Sequence, residues 1–144
     1  MKTDCYNTGN GPINIPVPER YADCLQLIRS DYYRLSGTDG PFYRIIVLAL
    51  RSPQFACLFW LRVASIKGLF YWPAKVMHRY YSRKYGLQIY PSTRIGYGLC
   101  LQHSIGVVIN PLTVIGNNVN IAQFVSVGST EKEGAIIAST KRPG

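Results

Sequence analysis

The sequence predicts an α+β chain in which a helical region is followed by coils of short strands around a shared core. Two observations carry this. Up to about residue 84 the apolar side chains recur three and four positions apart, the spacing of one helix face. From residue 87 the spacing becomes six, which fits neither a helix nor a simple hairpin. The 144 residues suit one domain, and a hydrophobic content of 47% is enough to fill a core.

Residues 1–18 are polar and rich in Gly and Pro, so they read as a flexible leader and not as a signal peptide. Residues 19–86 read as helical. Tyr21, Cys24, Leu25 and Ile28 form the first stripe, and the GTDG of residues 37–40 breaks it. A second helix covers residues 43–50. A third runs from Pro53 to about Ile66, with Ser52 as its N-cap and Pro53 in its first turn, and Gly68 ends it. A fourth runs from Pro73 to about Tyr85, with Lys75, His78, Arg79, Arg83 and Lys84 beside Val76, Met77, Tyr80 and Tyr81.

Within the repeat region of residues 87–130, residues 89–130 divide into sixes: IYPSTR, IGYGLC, LQHSIG, then an extra Val107-Val108, then INPLTV, IGNNVN, IAQFVS and the partial VGST. An aliphatic residue opens every unit: Ile89, Ile95, Leu101, Ile109, Ile115, Ile121 and Val127. This period suits a short strand plus a turn, three to a coil, with the opening aliphatics pointing into a prism-shaped core. Glycine and asparagine, which accept positive backbone angles, follow the opening residue in three units. A small antiparallel sandwich is the competing architecture, and seven units with a single phase slip argue against it. About two coils are present, and residues 131–144 read as a loop and a truncated end.

The net charge of +9 is unevenly placed. Between Pro41 and Thr130 there are nine Lys and Arg residues and no Asp or Glu. Such a field attracts nucleic acid, anionic lipid or a phosphorylated ligand. The four cysteines (Cys5, Cys24, Cys57, Cys100) stand far apart, which favours free thiols in a reducing compartment over disulfides or a zinc site. No apolar run approaches the roughly 18 to 20 residues needed to cross a bilayer. The reading is a cytoplasmic protein, with peripheral membrane contact left open.

The segment of residues 89–130 resembles the hexapeptide-repeat acyltransferases, and within them the serine O-acetyltransferase branch. The resemblance implies a left-handed parallel β-helix preceded by helices, a homotrimer, and acetyl-CoA as acyl donor with no metal. It aligns His103 with the family's general base, which takes the proton of an acceptor hydroxyl as that oxygen attacks the thioester carbonyl. Histidine is the side chain whose ordinary titration lies nearest physiological pH, which suits the role. Gly128, Ser129 and Thr130, followed by Lys132, match the family's cofactor loop, where backbone amides and a lysine meet a phosphate-bearing ligand. Lys141 and Arg142 stand where the family binds its substrate's carboxylate.

The departures bear on the acceptor. Serine-specific members carry aspartates at the positions of Ser52, Gln88 and Gln102. The one at Gln88 orients the histidine, and the others hold the substrate's ammonium group. All three are neutral here, and no acid between residues 41 and 130 replaces them. His103 is then the weaker base unless Asp31, Glu131 or a neighbouring subunit reaches it. A buried ammonium without a carboxylate is costly, so the acceptor is a small molecule such as serine or, given the missing acids, a sugar hydroxyl of a polysaccharide precursor. The chain ends where the family continues with further coils, which implies C-terminal truncation.

Three other readings stand beside this one. A γ-class carbonic anhydrase of the same architecture needs three histidines around zinc, and this chain has His78 and His103 alone. A nucleic-acid or membrane-surface module would use the positive charge and the eleven tyrosines, although tyrosines at helical spacing serve packing and a CoA enzyme also needs positive charge, so no nucleic-acid partner is assigned. A non-catalytic trimeric scaffold or remnant of the fold would account for the missing acids.

Overall fold

A computed structural model describes residues 1–8, 11–132 and 135–141, with side chains at all of these but 8, 129–132 and 135–141. Four helices come first in the main body: α1 (Tyr21–Ser36), α2 (Phe42–Arg51), α3 (Pro53–Ala64) and α4 (Tyr71–Tyr85). In α1 the Asp23 carboxylate accepts from the backbone N–H groups of Glu19 and Arg20, at 3.1 and 3.2 Å, and so satisfies the donors at the helix start. Gly37 ends that helix in the left-handed conformation, φ 71°. Ser52 caps α3, its Oγ accepting from the Phe55 N–H at 3.3 Å, with Pro53 in the first turn. The fourth helix begins two residues ahead of the expected Pro73, because a first-turn proline gives up no hydrogen bond.

The segment expected as a flexible leader is instead a hairpin of β1 (Lys2–Thr8) and β2 (Gly11–Val17), antiparallel from Lys2↔Val17 to Thr8↔Gly11. Its second strand alternates, with Ile13, Ile15 and Val17 at every second position, and Ile15 is fully buried. An ion pair between Asp4 and Arg94 at 3.7 Å links the hairpin to the start of the strand region.

After α4 come β3 (Arg94–Ile95), β4 (Cys100–Leu101), β5 (Val108–Ile109), β6 (Val114–Ile115), β7 (Asn120–Ile121) and β8 (Ser126–Lys132). They pair in parallel: β3 with β6, β4 with β7, and β5 with β8. The chain thus passes the same three ladders twice, and the opening aliphatics Ile89, Ile95, Leu101, Ile109, Ile115 and Ile121 stack as a buried core. A ninth strand, β9 (Ala135–Lys141), runs antiparallel to β8, where the sequence reads as loop. Its isoleucines and threonine favour an extended chain, and β8 offers it an unpaired edge.

Helix α3 joins the two regions. Cys57, Leu58 and Leu61 belong to the strand core, while Phe55 on another face packs with Cys24, Ile28, Tyr32, Ile45 and Ile66. A buried ion pair reinforces the junction. Arg62 Nε and NH2 donate to the Asp31 carboxylate at 2.9 and 3.0 Å, and NH1 and NH2 donate to the carbonyls of Ile95 and Gly96 at 3.0 and 2.7 Å. The Leu99 N–H also donates to Asp31, at 2.8 Å. One pair of charges therefore ties α1 and α3 to the first coil.

The two glycines of IGYG are required by the stacking. A Cβ on Gly96 would sit 2.4 Å from Asn117 Oδ1 and 2.7 Å from the Gly116 carbonyl. Gly98 has φ +66° and stacks under Asn118, itself at φ 56°. The motif is structural in this chain.

Candidate active site

His103 lies in the connection between β4 and β5, which uses six residues (102–107), whereas the equivalent connection in the next coil uses four (122–125). Both ends of the longer connection are fixed. Gln102 N–H donates to the Ile121 carbonyl at 2.8 Å, and Gly106 N–H donates to the Tyr85 carbonyl at 3.0 Å. Above it, Phe124 N–H donates to the Ile105 carbonyl at 2.9 Å. The two extra residues are therefore carried outward at the corner and do not shift the ladders. Within the corner His103 takes φ 55°, and its carbonyl accepts from Ile105 N–H at 2.7 Å in a tight turn.

This geometry exposes the His103 side chain. Among the described residues, no hydrogen bond reaches its imidazole. Ser104, next in the chain, is buried, and its Oγ has no hydrogen-bond partner among the described residues. A solvent-facing imidazole on an anchored corner can accept a proton from a molecule approaching the coil. Without a hydrogen-bond partner among the described residues, both ring nitrogens are open to ligand or to another copy of the chain.

The other residues singled out in the sequence are not brought together with it in one chain. Gln88 hydrogen-bonds through its backbone, with N–H to the Val107 carbonyl at 2.7 Å and carbonyl from the Ile109 N–H at 2.8 Å. It lines a groove of about 260 Å³ with Lys75, His78, Arg79 and Tyr90, and no side-chain hydrogen bond joins it to His103 among the described residues. Gln102 is exposed next to His103. Ser52 is engaged as the α3 cap and donates to Gln54 Oε1 at 3.0 Å. Gly128 is exposed in β8, where a Cβ would meet nothing within 4 Å, so the fold itself does not demand a glycine there. Arg142 lies outside the described residues, as do the side chains of Ser129, Thr130, Lys132 and Lys141.

Asp31 cannot serve His103, because it is fully buried against Arg62. Burial raises its pKa, opposed by the guanidinium, the hydrogen bonds from it and the Leu99 N–H. The sequence did hold a signal for this role. Asp31 falls in phase with the apolar stripe of Cys24, Leu27, Ile28 and Tyr32, and a charge on such a stripe calls for a buried partner.

The second histidine, His78, sits in the groove with Gln88. Its Nε2 is 3.4 Å from Ser82 Oγ. Burial pulls its pKa below the ordinary 6.5, and a hydrogen bond with the Ile89 backbone works the other way. Among the described residues no three His, Cys, Asp or Glu side chains gather into a group that could hold a metal ion.

Parts of the chain are similar to serine acetyltransferases. Serine acetyltransferase 2 of Arabidopsis thaliana is 48% identical over 52 residues, which is 36% of this chain and 16% of that protein. Serine acetyltransferase 4 of the same plant is 35% identical over 86 residues, 60% of this chain and 22% of the relative. The serine acetyltransferase of Bacillus subtilis is 34% identical over 77 residues, 43% of this chain and 36% of the relative. The chain thus spans between 16% and 36% of the length of these three relatives. No protein-family model matches it. No solved structure matches it either.

Proposed function

We propose that the chain is part of an acetyl-CoA-dependent O-acetyltransferase in which His103 is the general base. The observation that carries this is the corner itself: a histidine presented on a two-residue extension, anchored on both sides, in a chain of which parts are similar to serine acetyltransferases. In the reaction the imidazole takes the hydroxyl proton of the acceptor, and the oxygen attacks the thioester carbonyl. The C–S bond then breaks, and the imidazolium returns the proton to the departing thiolate. The chain's own contribution is to hold the base at the surface and to keep positive charge near a phosphorylated donor. The open space over Gly128 supports a close backbone approach by that donor.

The acceptor is a sugar hydroxyl in preference to serine, because the positions of Ser52, Gln88 and Gln102 offer no carboxylate for an ammonium group. The coils wind in the left-handed sense and assemble as a homotrimer in the cytoplasm. Ile105, Val108, Leu112 and Phe124 are exposed apolar side chains on the coils that threefold packing would cover. Free thiols at all four cysteines suit a reducing compartment.

The test is CoA release from acetyl-CoA with serine, homoserine and sugar acceptors, for the native chain and for His103→Ala. Loss of a general base should lower turnover by about 10² to 10⁴. Equal rates for the two proteins would overturn the catalytic reading and leave a non-catalytic scaffold. Efficient acetylation of serine with no activity on sugars would overturn the acceptor.

A further inference from the structure

Helix α4 carries an outer face with two properties that do not belong to a solvated helix. Trp72, Val76 and Tyr80 recur at i, i+4 and i+8 and are 69%, 65% and 53% exposed. Lys75, Arg79 and Arg83 are interleaved with them on the same side, and Lys84 borders it. Ahead of the helix, Leu69 is 83% exposed, and Phe70, half-exposed, packs its ring edge-on against Tyr21, whose hydroxyl accepts from the Phe70 N–H at 2.9 Å. Lys75 Nζ stands 5.3 and 5.6 Å from the ring centres of Tyr71 and Trp72, so cation and aromatic faces are already paired.

Beside the start of α4 lies an apolar groove of about 390 Å³ between the helices, lined by Phe42, Phe59, Trp60, Val63, Phe70 and Pro73 among others. Among the described residues, no charged side chain lines it. The face and the groove adjoin at Phe70 and Pro73, and no Asp or Glu occurs anywhere in residues 41–130 to oppose the cations.

We propose that the outer face of α4, with the adjoining groove, binds the surface of an anionic membrane. The charge complementarity is one-sided, since every ionised group on the face is a cation. The apolar groups are of the kind that enter the headgroup boundary: a tryptophan, tyrosines and bare aliphatics beside lysine and arginine. Leu69 and Val76 decide against nucleic acid, because base stacking would use the rings and leave both aliphatics uncovered. The helix lies on the bilayer and does not enter it, since no single helix among the described residues is long and apolar enough to cross. This binding is independent of the acetyl-transfer reading.

Co-sedimentation of the full chain with vesicles tests it. Phosphatidylcholine vesicles containing phosphatidylserine should bind the chain, pure phosphatidylcholine should bind it at least tenfold less, and high salt should release it. Each of Lys75→Gln, Arg79→Gln and Arg83→Gln should weaken binding by about fivefold. Trp72→Ser with Val76→Ser should abolish vesicle binding while leaving the circular dichroism unchanged, because both side chains are exposed. Equal binding to neutral and anionic vesicles, or none to either, overturns the proposal. So does preferential binding of single-stranded RNA, or a change from oligomer to monomer in the Trp72→Ser, Val76→Ser protein, which would show that another copy covers the face.

Discussion

Replacing Asp31 by alanine should be among the most damaging single changes in this chain. The carboxylate is fully buried and accepts from Arg62 Nε, Arg62 NH2 and the Leu99 N–H, all within 3.0 Å. Its removal leaves a guanidinium with no counter-charge, 4% exposed, still bound to the carbonyls of Ile95 and Gly96. An uncompensated buried charge of this kind costs about 3–5 kcal/mol, and the orphaned Leu99 N–H adds about 1 kcal/mol more. Against a total stability of about 5–15 kcal/mol, that is about a quarter or more of what holds the fold. The midpoint of thermal unfolding should fall by about 10 °C or more. Urea unfolding followed by tryptophan fluorescence gives the free energy directly. The companion experiment replaces both partners, Asp31→Leu with Arg62→Met. That protein should be more stable than either single variant, because no charge is left stranded. An Asp31→Ala loss below about 1 kcal/mol, or additive losses in the double variant, would refute the reasoning.

The other predictions are smaller in scale. Gly98→Ala should cost about 1–3 kcal/mol, since the residue sits at φ +66° and its new Cβ would lie 2.5 Å from Asn118 Oδ1; Asn118→Gly should recover part of that loss in chemical denaturation, and no recovery would show that stacking is not the cause. Thr113→Val should stabilise the chain by about 1 kcal/mol, because its buried hydroxyl has no partner among the described residues; a lower melting temperature would contradict this. Burial holds the His78 pKa below 6.5, so the unfolded chain takes up the proton first and stability is present above that pH and lost as pH falls below it. His78→Gln should flatten this slope in urea titrations at a series of pH values. Burial pushes Cys24 and Cys57 up to about 12 and also raises Cys100, whereas Cys5 is exposed. A thiol-reactive dye should therefore label one cysteine quickly in the native chain and all four only after unfolding, the thiolate being the reacting form.

Much of the architecture was legible because its periods are strict. The opening aliphatics from Ile89 to Ile121 could share one core only if the chain returned after three units, and the parallel pairs do so, twenty residues apart across the two-residue slip (Ile95↔Ile115, Leu101↔Ile121) and eighteen beyond it (Ile109↔Val127). Ser52 and Pro53 announced the start of α3 for the same reason, a local rule with little tertiary override. The hairpin of residues 2–17 was hidden by its prolines, glycines and asparagines, which mask the alternation of Ile13, Ile15 and Val17. At the site, sequence order could mark His103 but could not reveal that Gln88 shares a groove with His78, since that depends on where α4 settles on the coil. Nor could it show that the lone acid of the α1 stripe is committed to Arg62 thirty-one positions away.

The six-against-four difference between the two corner connections has a practical corollary. Because backbone hydrogen bonds clamp the chain before and after the corner, insertions there are absorbed without rephasing the core. The solenoid thus behaves as a rack of equivalent slots, in which a reactive side chain is addressed by where two residues are added. Moving the Gln102–Val107 segment up one turn, into the slot now held by residues 122–125, should relocate the imidazole by one strand spacing, about 4.8 Å along the stack, with the core sequence untouched. A functional group in such a fold can be shifted in fixed steps, as a purely modular edit.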